Sequence, residues 1–154
     1  MCLGAAAQGV IGKGQFRAIS NEKEHLDLGC ITNVGRWTTD ETQCGVFEAT
    51  PVGDRAFTSD RSFSFTLKSA AGTCWAYGAK FLCEEDGEPF IFGTWPDVWP
   101  IGLPGVSILR YGQYGLMASV AGGPPARTAE PQEIRFTSYT EPGQRIWLKW
   151  EQLE

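Results

Sequence analysis

Hydrolases and transferases need a nucleophile with a base in reach, and this chain of 154 residues offers few bases. Its single histidine, His25, stands in the charged run "KEHLD", and no G-x-S-x-G accompanies it, so a nucleophilic triad is not indicated. Phosphate cradles fare no better. "GKG" at 12–14 and "GGPP" at 122–125 lack the following Lys-Ser/Thr and the helix that a P-loop requires, and both read as turns. Carboxylates gather in "CEEDGEP" (Glu84, Glu85, Asp86, Glu88) and "TTDET" (Asp40, Glu41). Such groups serve as acid/base pairs or calcium ligands, but the run at 84–88 reads first as a solvated hairpin loop.

Aromatic residues are the stronger lead. "GTWPDVWPIGLPG", residues 93–105, places Trp95 and Trp99 among prolines that fix φ and bar sustained sheet pairing, so an ordered loop is expected. Either the two indoles are presented to a partner at low entropy cost, with Asp97 between them to orient a hydroxyl or accept a proton, or they fold inward as a lid. Trp75, Tyr77, Tyr111 and Tyr114 add amphipathic rings of the kind that meet sugar faces or apolar small molecules. Trp147 falls on the strand face that carries Arg145 and Lys149, and either this face or the one that carries Trp75 and Tyr77 is expected to be less buried than the core.

The elements that would hold these rings are strands. "RSFSFTLK" puts Phe63, Phe65 and Leu67 on one face; "EIRFTSY" does the same for Ile134 and Phe136, and "RIWLKW" for Ile146, Leu148 and Trp150. Further candidates are 14–20, 28–32, 44–50, 73–77, 80–84, 89–92, 106–111 and 115–121, separated by turn signals such as "PVGDR", "EDGEP" and "EPGQ". About ten short strands predict an all-β fold, a single-domain antiparallel sandwich or barrel over residues 1–154. "NEKEHLD" is the one stretch with any helical character, and it is short and polar.

In "CWAYGAKFLC" a two-residue turn at Gly78-Ala79, of type II′ with glycine first, would pair Tyr77 with Lys80, Ala76 with Phe81, Trp75 with Leu82 and Cys74 with Cys83. The last pair is non-hydrogen-bonded and close enough for a disulfide, which turns Trp75 and Tyr77 to the opposite face. Cys30 and Cys44 are then left to bridge each other, and Cys2 remains. The other reading is reduced core thiols in the cytoplasm; bridges imply an oxidising compartment and secretion. The spacing lacks the close Cys pairs and histidines of a zinc site, so no metal is expected, and no cofactor motif is present.

Scattered basic residues on a chain of net charge −5 give no footprint for nucleic acid, and no apolar window reaches the roughly 18 residues that span a bilayer. The opening "MCLGAAAQGV" reads either as the end of a secretory leader or as a first strand.

"KGQFRAIS", "LGCITNVGRWTTDETQC", "FSFTLKSAAGTC" and "KFLC" together resemble the C-terminal accessory domain that follows the catalytic domain in fungal ribonucleases of the T2 family. The resemblance covers residues about 13–92 and implies a secreted, disulfide-bearing all-β module without catalytic residues of its own. Catalysis in that family needs two histidines; with one, this chain is expected not to be a ribonuclease and to be a stand-alone form of the module. The leading expectation is a secreted module that binds a carbohydrate or small amphipathic ligand through Trp75, Tyr77, Trp95, Trp99, Tyr111 and Tyr114. The alternative is a cofactor-free cyclase or isomerase of fungal secondary metabolism, its pocket lined by the same rings, with Asp97, Asp27 or Tyr111 moving the proton. An open strip of rings favours the first; an enclosed cavity with a buried carboxylate favours the second.

Overall fold

A computed structural model of the chain describes residues 10–20, 26–52, 64–95, 107–111, 115–118, 123–137 and 145–153. The fold is all-β. Among these residues twelve strands form one antiparallel sheet: β1 (Gly12–Ser20), β2 (Asp27–Ile31), β3 (Trp37–Thr38), β4 (Phe47–Pro51), β5 (Ser64–Ser69), β6 (Gly72–Tyr77), β7 (Lys80–Glu84), β8 (Phe92–Trp95), β9 (Ile108–Arg110), β10 (Gly115–Ala118), β11 (Ile134–Thr137) and β12 (Arg145–Gln152). No helix among them is long and apolar enough to cross a membrane.

Alternation in the sequence translates directly into burial. On β5, Phe65 and Leu67 are buried and Lys68 is exposed; Ile134 and Phe136 of β11 are buried, as are Ile146, Leu148 and Trp150 of β12. Phe63 lies outside the described residues.

The sheet closes on itself. β1 pairs β4, β4 pairs β5, β5 pairs β8, β8 pairs β9, β9 pairs β12, and β12 returns to β1, which makes a six-stranded barrel. A second limb, β6–β7–β11–β10, links β5 to β12 around the side. Closure removes the exposed strand edges that an open sheet would leave. The β1–β12 seam, from Gly14 opposite Gln152 to Ser20 opposite Ile146, joins the first and last strands. It depends on a glycine: a Cβ at Gly14 would stand 2.5 Å from the Trp150 ring and 2.6 Å from the Glu151 carbonyl, so only a residue without one lets Trp150 lie across β1.

Phenylalanines fill the interior. Phe81 meets Phe92 at 5.7 Å and Phe136 at 6.1 Å, ring centre to centre and edge to face; Phe16 meets Phe47 at 5.2 Å and Trp150 at 5.1 Å in the same manner.

Several expectations are corrected. The predicted strand at 89–92 is displaced to 92–95, because Gly93, which reads as turn punctuation, is held between Ser64 of β5 and Arg110 of β9. β3 was not anticipated; two residues carry no periodicity, and Trp37 is fixed instead by mutual backbone hydrogen bonds with Gln132 and by its indole N–H donating to the Leu28 carbonyl at 2.8 Å. Of the two faces weighed as less buried, the hairpin face of Trp75 and Tyr77 is the open one; Trp147 is buried and pairs across strands with Ile19, itself buried, so β12 is covered on its outward side at that point.

Candidate functional site

Both disulfides form as the sequence predicts: Cys74–Cys83 with Cα atoms 3.9 Å apart and Cys30–Cys44 with Cα atoms 5.5 Å apart. The β6–β7 register is the predicted one, residue for residue. The turn differs. Gly78 and Ala79 both have positive φ, 57° and 71°, which is the type I′ arrangement and not II′. Docking on β11 explains it: the Phe136 amide donates to the Ala79 carbonyl at 2.7 Å and the Arg135 guanidinium donates to the Gly78 carbonyl at 3.2 Å.

With the sulfurs turned inward, the other face of the hairpin carries Thr73, Trp75 and Tyr77 from β6 and Lys80, Leu82 and Glu84 from β7. Tyr77 is 61% exposed. Its ring lies 5.2 Å from that of Trp75, inclined by 46°. Trp75 is half-buried, and its indole N–H donates to the Glu84 carboxylate at 3.0 Å, which fixes the ring plane. The result is an open, tilted two-ring platform with a carboxylate at one rim and Lys80 directly opposite Tyr77.

The remaining candidates do not join it. Tyr111 packs against Phe90 and Phe136 with tilted rings, each centred 5.2 Å away, at the margin of the core. Trp95 is placed by its backbone in β8, opposite Ile108. Trp99, Asp97, Tyr114 and His25 lie outside the described residues.

Asp27 is committed elsewhere. Arg17 forks onto it, Nε to Oδ2 at 3.1 Å and a terminal nitrogen to Oδ1 at 2.9 Å, while the same guanidinium donates to both Glu41 oxygens at 2.8 and 2.9 Å and to Cys44 Sγ at 3.5 Å. Burial pushes the Asp27 carboxyl up, but hydrogen bonds from Arg17 and the Gly29 amide, with the charge of Arg17, outweigh it and hold the group below the usual carboxylate range. The same bonds, Glu41 first, raise Arg17 further above its ordinary value. Sequence reading passed over Arg17 as one of many scattered cations. The available signal was its place in "QFRAIS", where a charge in a strand otherwise buried at Phe16, Ala18 and Ile19 demands partners.

"TTDET" forms a short 3-10 turn, Glu41–Gln43, capped by Asp40, whose carboxylate accepts from the Thr42 hydroxyl and amide and the Gln43 side chain and is held low by them. The sulfurs of Cys30 and Cys44 and the Glu41 carboxylate lie within 4.8 Å of one another, but the sulfurs are bonded to each other and Glu41 is bound by Arg17.

The chain is thus a closed, disulfide-linked β-barrel with an aromatic face on one hairpin. The RNase T2-like C-terminal domain family model matches residues 8–98, more than half the chain, and the protein belongs to that family. No curated protein and no solved structure matches it.

Proposed function

We propose that the protein is a secreted module that binds carbohydrate on the Trp75–Tyr77 face. One observation carries the reading: a ring as large as Tyr77 stands 61% exposed beside an indole whose plane is fixed by Glu84. Exposing an aromatic gives up the stability that burial would supply, and orienting its neighbour lowers the entropy cost of stacking a ligand there. The 46° inclination suits a single pyranose or a twisted chain better than a flat crystalline surface, which wants coplanar rings. Both disulfides support an oxidising compartment.

The test is Tyr77→Ala. Because the ring is mostly exposed, the melting temperature should stay within about 2 °C of wild type. Binding to soluble oligosaccharides, followed by calorimetry or by fluorescence of the half-exposed Trp75, should weaken about tenfold, the worth of one aromatic stacking contact. Unchanged binding in the variant, or no binding to any glycan by the wild-type protein, would overturn the reading.

A further inference from the structure

The Trp75–Tyr77 face continues sideways. Register pairs set Glu84 of β7 opposite Thr73 of β6, Thr73 opposite Lys68 of β5, Lys68 opposite Glu48 of β4, and Glu48 opposite Lys13 of β1. These five side chains share the outer face, since the residues flanking them (Cys83, Cys74, Leu67, Phe47 and Gly14) are buried. The row crosses five strands at right angles to the chain. At the spacing of hydrogen-bonded strands it is about 19 Å long. The carboxylates in it are engaged: Glu84 accepts from the Trp75 indole, and Glu48 pairs with Lys68 at 3.4 Å. Lys13 has no ion-pair partner among the described residues, so this end of the row carries one uncompensated positive charge on a chain of net charge −5. Between the two lysines lies an open depression of about 180 Å³, lined by Lys13, Val46, Glu48, Lys68, Ser69 and Ala70. At about 30 Å³ per water it has room for one sugar ring.

We infer that this row is a binding track for an acidic oligosaccharide, a chain of uronic acid units with one ring on Trp75 and Tyr77 and a carboxylate met by Lys68 and Lys13 at the depression. The inference rests on the carbohydrate reading of the aromatic face and adds length and charge to it. A single neutral sugar would use the platform alone. Only a chain of several units reaches from β7 to β1, and only an anionic one gains from the unpaired lysine. Successive strands turn by about 20–25°, so the track is itself twisted, in keeping with the tilted rings.

The experiment measures affinity of the full chain for oligogalacturonates of one to six units and for neutral gluco-oligosaccharides of the same lengths. It is repeated with the double variant Lys13→Gln/Lys68→Gln and with Tyr77→Ala. Both lysines lie on the surface, so the double variant should melt within about 2 °C of wild type. Affinity for the acidic series should rise up to about four units and then level off, exceed that of the neutral tetramer about tenfold at low salt, and lose that advantage in the lysine variant and in high salt. Tyr77→Ala should weaken both series. If neutral and acidic tetramers bind alike and the lysine variant changes neither, the acidic track is refuted while the platform stands. The same holds if galacturonic acid alone binds as well as the tetramer. Failure of every oligosaccharide to bind would refute the platform and the track together.

Discussion

Replacing Cys74 and Cys83 by alanine should cost more than the cross-link alone. The bridge closes a loop with a sequence separation of 9, for which chain entropy gives about 2.6 kcal/mol at 25 °C. Both cysteines are buried, at 0% and 3% exposure, and belong to the same core cluster as Phe81 and Phe92. Each deleted core atom the size of a methylene adds about 1 kcal/mol in lost transfer energy and void. The double variant should therefore lose about 4–5 kcal/mol, a large part of the 5–15 kcal/mol typical of a domain, and melt about 8–20 °C lower. Guanidinium unfolding monitored by tryptophan fluorescence measures the loss, and the slope of the transition should steepen, because an unfolded chain without the bridge exposes more surface. The two contributions are separable: Cys74→Val with Cys83→Ala refills part of the void and should recover about 1 kcal/mol while leaving the entropy loss intact. A total loss under about 1 kcal/mol would refute the reasoning. It would show that the Gly78-Ala79 turn, pinned by Phe136 and Arg135, already holds the register without the sulfur bond.

Two further outcomes follow from the geometry. Ala79 sits at φ 71°, where a Cβ is disfavoured, so Ala79→Gly should stabilise the protein by about 0.5–1 kcal/mol in the same unfolding assay; destabilisation would show that the Cβ makes contacts worth more than the strain. The depressed carboxyl of Asp27 contributes stability that is present above the ordinary carboxylate range, about pH 4, and is lost as pH falls through its lower folded value, because the unfolded state then binds more protons. Urea midpoints taken from pH 6 to pH 2.5 should therefore fall, and Arg17→Met should flatten part of that fall, by less than about 1 kcal/mol because the Asp27 side chain is 52% exposed. An unaltered pH profile in the variant would remove Arg17 as its cause.

The β6–β7 hairpin was legible to the residue because its register depends on ten consecutive positions and one short turn, and strand parity then decides which side each ring takes. Trp75 and Tyr77 followed from Cys74 and Cys83 without any knowledge of the rest. The turn type was not legible, since local preference favoured II′ and the choice was made by β11, more than fifty residues away in sequence. Closure of the barrel was equally hidden: β5 pairs with β8 and β1 with β12 through contacts that no short window records.

Composition is a weaker guide than parity. Of the six tryptophans, Trp37, Trp147 and Trp150 are buried and belong to the fold itself. The closed barrel accounts for two of them. Its interior takes Trp150 against Phe16, and β12 is covered on its outer side as well, where Trp147 lies opposite Ile19. Along "RIWLKW" the alternation breaks at Trp147, which is buried between the half-buried Arg145 and Lys149. The alternation holds for β6 and β7, whose outward residues are half-buried or exposed. The rings on which the proposed binding face rests are those on a strand that keeps its two-residue burial period, since there an exposed ring is a departure the fold did not require. Tyr77 meets that criterion through its own exposure, and Trp75 through the Glu84 bond that orients it toward the same side.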